Sequence, residues 1–183
     1  MIEDQQYHPL EQPDEISARL KDDAMGAYLM MFGSMAVGLP LPIINLMASI
    51  IYYYAYRHKS RFVKFHSLQS LYSQLPTSIL NGVFMFWTLR VIISGGFFED
   101  NYSPITAGFA NIGDLYWAFL YTLILLNLLY FIFSIVAASR ARKGKMYYMF
   151  FFGKLAYHQA YKVKTGKDEL DPSLPVEQNK PPV

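Results

Sequence analysis

His66, Ser70, Ser73, Thr77 and Asn81 recur at spacings of four, three, four and four within an uncharged stretch. At about 3.6 residues per turn they fall within one arc of roughly 80° on a helix. Thr88 continues the arc, and Gln69 and Gln74 flank it. Three uses suit such a face. Ser, Thr, Asn and Gln bond across helices inside a membrane, at about 0.6–2 kcal/mol each. The same groups can line a hydrated groove or substrate path, or dock a partner subunit. Asn127 belongs to a second, weaker series in which Ser134 and Ala141 follow at intervals of seven, a spacing that keeps one helix face towards a neighbour. An unpaired amide at that depth is costly, so Asn81 or Gln74 is its expected partner.

Other chemistry finds little footing. His58 and His66 are eight residues apart, which is not a ligand spacing, and His8 and His158 are isolated. No Ser/His/Asp set, phosphate loop or paired carboxylate is visible, and the apolar runs contain no acid. There are no cysteines, so disulfides and thiolate metal sites are excluded. The expectation is a protein without catalytic residues, metal or cofactor, and not an enzyme. Arg90 is a lone charge at one end of a span, where it can snorkel, pair with Glu99, Asp100 or Asp114, or face a substrate.

The elements that must position these residues follow from the distribution of charge. Of 183 residues 53% are hydrophobic and 17% aromatic, rich for a soluble domain. Charges are absent from 24–56, 65–89 and 115–139. About 20 apolar residues cross a bilayer, so each run is a membrane-span candidate. The first run is too long for one crossing, since 33 helical residues would reach about 50 Å. Gly38, Pro40 and Pro42 lie near its middle and break it. The reading is an all-α polytopic membrane protein with four helices at about 23–37, 43–57, 60–94 and 112–142. The first two form a short Pro-broken hairpin, and a single kinked helix is the competing reading. Each arm is short for a span, which implies local thinning or a wedge. Pro76 marks a kink in the third helix.

The domain plan is then a polar acidic tail at 1–22, a transmembrane domain at 23–144, an aromatic interfacial segment at 145–163 and a disordered tail at 164–183. The polar start offers no apolar run for a signal peptide. Basic residues set orientation: Arg57, Lys59, Arg61 and Lys64 in one loop, and Arg140, Arg142 and Lys143 after the fourth helix, belong in the cytoplasm. The loop 95–114 has three acids and no Lys or Arg, and belongs outside. Both termini are then cytoplasmic in the hairpin reading. The partners are the lipid bilayer and other membrane subunits, with no nucleic acid.

The phrase Ser60-Arg61-Phe62-Val63-Lys64-Phe65-His66-Ser67-Leu68-Gln69-Ser70-Leu71 resembles a family of small bacterial four-helix membrane proteins whose second helix ends in a basic turn. The end of the fourth helix, Ala141-Arg142-Lys143-Gly144-Lys145-Met146-Tyr147, adds to the likeness, although Phe150 or Phe151 stands where the family has proline. That family is similar to the four-helix import component of the chloroplast inner envelope. The resemblance implies a bacterial inner-membrane protein, a non-enzymatic subunit of a larger assembly in protein translocation or insertion. The alternative expectation is a small oligomeric channel or transporter that uses the polar face of the third helix.

Overall fold

The computed structural model describes residues 7–32, 42–94, 113–163 and 181. These form five α-helices: α1 (Ala18–Leu29), α2 (Pro42–Tyr56), α3 (Arg61–Ser94), α4 (Asp114–Arg142) and α5 (Phe150–Tyr161). A 3₁₀ turn, Met30–Phe32, extends α1, and there is no strand among the described residues beyond one isolated bridge between Tyr7 and Lys162.

Four crossings are the expectation, and the structure supports a coarser statement. Two helices, α3 and α4, are long and apolar enough to cross a membrane. Nothing in the most apolar 18-residue stretch of α3 is buried, which is not how the core helix of a soluble protein behaves. Helix α1 falls short. Its 12 residues span about 18 Å, and they include Arg19, Lys21, Asp22 and Asp23. Ser17 caps it by accepting from the Leu20 N–H, so the helix begins five residues before the expected 23. The 15 residues of α2 reach about 23 Å, less than the roughly 30 Å of hydrocarbon. The expected turn residues Gly38 and Pro40 lie outside the described residues, and Pro42 opens α2, a first-turn position that wastes no hydrogen bond.

The core lies at one end of α3. On one side Phe62 and Val63 pack with Ala24 and Tyr28 of α1 and with Ala137, Ala138 and Ala141 of α4. The alanines let the helix backbones come close. On the other side Phe65 and Leu68 pack with Tyr53 of α2 and with Ala156, Tyr157, Ala160 and Tyr161 of α5. The N-terminal arm closes this second cluster through Leu10, and the His8 N–H donates to the Tyr161 carbonyl at 2.9 Å. Just past the C-cap of α4, Gly144 has a φ of +72° that admits the reversal. A Cβ there would stand 2.8 Å from Cε of Lys21 and 3.1 Å from Cα of Pro13.

Candidate functional site

The enclosed end of α3 holds a chain of polar side chains. Gln69, His66 and Ser70 are at most 1% exposed. The Met149 N–H donates to Gln69 Oε1 (3.1 Å), Gln69 Nε2 donates to the Tyr28 hydroxyl (2.8 Å), and that hydroxyl lies 2.8 Å from His66 Nδ1. In the tautomer protonated at Nε2, His66 Nδ1 accepts from the Tyr28 hydroxyl while that oxygen accepts from Gln69. Phe62 and Phe65 enclose that ring edge-on at 4.4 and 4.9 Å between centroids. Three segments remote in sequence, α1, α3 and the entry to α5, are thereby joined through one amide and one phenol.

Further along, the stripe turns inward on its own backbone. Ser70 Oγ donates to the Ala27 carbonyl of α1 (2.7 Å), and Ser73 Oγ to the Ser70 carbonyl (2.9 Å). Thr77 Oγ1 donates to the Gln74 carbonyl at 3.0 Å. Asn81 and Asn127 exchange amide hydrogen bonds at 3.0 and 3.2 Å, and each also donates to a carbonyl of its own helix. Thr88 meets the Tyr116 hydroxyl at 2.9 Å. Most of the stripe therefore bonds to protein, as helix packing requires, while His66 Nε2 and Gln74 Oε1 are buried without a hydrogen-bond partner among the described residues.

Two tyrosines belong to this site although spacing does not reveal them. Tyr28 is the hub of the buried chain, yet in sequence it is one aromatic in an apolar run. Tyr130 places its hydroxyl beside Ser73, Gln74 and Ser134. It lies three residues after Asn127, and the series Tyr116, Leu123, Tyr130 and Ala137 is the other half of the seven-residue pattern, a signal the polar residues alone do not carry.

The basic residues gather at the enclosed end. Lys59 forms a 2.7 Å ion pair with Asp23 of α1 and stands 4.0 Å above the Tyr56 ring. Arg57 covers Tyr54 at 4.7 Å and donates from Nε to His58 Nε2. Arg61 Nη2 meets His8 Nε2 at 3.2 Å, and Lys64 is half-buried. Arg140 and Arg142 are exposed in the last turn of α4 and Lys143 is its C-cap, where positive charge complements the helix dipole. Glu11 sits against the backbone N–H groups of Arg61 and Phe62 at the start of α3. Burial holds its carboxyl above the usual range, against the pull of those N–H groups and of Arg61. Burial likewise pushes the Tyr161 hydroxyl well up, and the Glu11 charge adds to it. Arg90 is exposed, and two of its expected partners, Glu99 and Asp100, lie outside the described residues. No group of three or more His, Asp and Glu among the described residues could hold a metal ion.

A family model for magnetosome magnetite crystal formation proteins (MamF/MmsF) matches residues 22–156. The chain belongs to this magnetosome family. The match runs from α1 through the buried chain and both long helices to Ala156 in α5. No curated protein and no solved structure matches the chain. The family corrects the likeness to the chloroplast import component, and protein translocation or insertion falls with it. The phrase that carried the likeness consists largely of residues packed in the two core clusters, namely Phe62, Val63, Phe65 and Leu68, together with His66 and Gln69. Shared helix-packing residues are a poor guide to what a membrane protein does. The channel or transporter reading is corrected by the same match.

Proposed function

We propose that this protein is a non-enzymatic integral component of the magnetosome membrane that acts in magnetite crystal formation. The observation that carries the reading is the family match over residues 22–156, which takes in the bundle as a unit and not one of its helices. Two further features support it. Helices α3 and α4 turn bare apolar faces outwards, with Ile79 63%, Phe86 69% and Leu115 73% exposed, which suits lipid. Gln69, Tyr28 and His66 are joined to one another in the core, which favours a structural role for them over catalysis.

In this reading the basic end, with both termini, faces the cytoplasm of a bacterial cell. Its support is the excess of Lys and Arg there and the pairing of the N-terminal arm with the end of α5 through Tyr7 and Lys162. The partners are lipid and other proteins of the same membrane. The test is removal of every family copy from a magnetosome-forming bacterium, with crystal size measured by electron microscopy. Smaller or misshapen magnetite crystals, restored by this chain, are expected; unchanged crystals sink the proposal. A green fluorescent protein fused after residue 183 is expected to fluoresce, and an active alkaline phosphatase fusion there would reverse the orientation.

A further inference from the structure

A cavity of about 870 Å³ opens between the turn after α2 and the last turn of α5. It is lined by Tyr53, Arg57, His58, Lys64, His158, Gln159, Lys162 and Val163. Three are permanent cations, two are imidazoles, and none is acidic. We infer that this cavity is a binding site for a phosphate group, carried by the headgroup of an anionic lipid or by a soluble phosphorylated molecule.

The convergence carries the argument. Orientation in the membrane needs basic residues near the ends of spans, but does not need them on one concavity. Here Arg57 and Lys64 come from one segment and Lys162 from another almost a hundred residues later, and the packing of α5 on α3 brings them together. Their surroundings hold them in place. The guanidinium of Arg57 lies over Tyr53 and Tyr54, and its Nε is used on His58. His158 pairs with Tyr7 through Nδ1, and Gln159 is held by the Tyr72 hydroxyl. The ammonium of Lys162 meets no carboxylate among the described residues. A guanidinium fork with two point charges is the donor set that phosphate oxygens take. The setting also fits. The cavity lies at the end of α3 where the tyrosines of α2 collect, as tyrosines do at headgroup level, and basic pockets between helices on the cytoplasmic side accept anionic headgroups. On the same helix α5, Phe150 and Phe151 are 91% and 73% exposed, a form suited to insertion among acyl chains.

The test uses the full chain in mild detergent. Native mass spectrometry reads retained phosphatidylglycerol against phosphatidylcholine, and thermal unfolding reads added inorganic pyrophosphate. Lys64→Gln/Lys162→Gln empties the site of two charges, and Arg142→Gln/Lys143→Gln removes two charges elsewhere. Retention of phosphatidylglycerol by the wild type, lost about tenfold or more in the first variant and not in the second, supports a lipid headgroup. Stabilisation by pyrophosphate that only the first variant loses supports a soluble phosphate. If the first variant fails to fold, Lys162→Gln, at the exposed end of α5, takes its place with Lys162→Arg as the variant that retains binding. Equal losses in both double variants, or no response to either probe, overturn the site.

Discussion

From Phe62 to Gln74, α3 is surrounded by the other four helices and the N-terminal arm, whereas beyond Pro76 its hydrogen-bonded neighbour among the described residues is α4. Phe62, Val63, Phe65, His66 and Gln69 are fully buried, but Ile79, Val83, Phe86 and Ile93 are 51–69% exposed. The polar stripe runs through both halves and does different things in each. In the enclosed half it ties together segments far apart in the chain through Tyr28, Gln69 and Met149. In the bare half the hydroxyls of Thr77 and Thr88 fall back on carbonyls of their own helix, and two cross-links, Asn81 with Asn127 and Thr88 with Tyr116, fix the pair. The lesson is that one face of uniform chemistry specifies structure only where other segments present complementary groups to it.

Substitutions can break or sharpen this contrast, read as unfolding in mild detergent. The largest effect is expected at Gly153, where a Cβ would stand 2.7 Å from Cα of Tyr148 and 2.9 Å from Gln69 Oε1. Gly153→Val forces α5 off α3 and should cost about 3 kcal/mol, the upper part of the range for overpacking. Tyr28→Phe comes next. It strands the Gln69 amide and His66 Nδ1 in the core and should cost about 2 kcal/mol. Asn127→Leu, in the bare half, should cost about 1 kcal/mol, as single polar links between membrane helices do. If it costs more than Tyr28→Phe, the division between the halves is wrong.

Glu11 gives a weaker, pH-dependent probe of the enclosed end. Its carboxyl holds a proton to higher pH in the fold than in the unfolded chain, because burial disfavours the charge. Its contribution to stability is therefore greatest below the unfolded value of 4.5, declines as pH rises through the raised folded value, and is level above it. Unfolding temperatures of the wild type should fall relative to Glu11→Gln across that interval, and parallel curves would show that burial does not govern this carboxyl. The smallest effect belongs to Phe86→Leu on the lipid side, expected within about 0.5 kcal/mol.

How much of this was legible depended on what charge can say. The long helices were readable because uncharged runs are the direct imprint of hydrocarbon, and α3 and α4 cover the runs at 65–89 and 115–139. The same rule misplaces the beginning of α1, since it assigns Arg19, Lys21 and Asp22 to a tail although Ser17 has already started the helix. The polar residues of the site stood out by period, and the phenols of Tyr28 and Tyr130 did not, because an aromatic ring in an apolar run gives no sign of where its hydroxyl points. The family was misread from the residues 60–71, whose composition answers to the needs of the core.

Pro76 lies just past the change of surroundings on α3. A proline ring supplies no N–H, so the helix there lacks one rung of its hydrogen-bond ladder, the Tyr72 carbonyl being the partner left over. The stiffness of a 34-residue rod is thus interrupted at the junction between a braced part and a free one. When the bilayer thickens or thins, the bare pair can change its tilt at that joint while the enclosed end keeps its geometry.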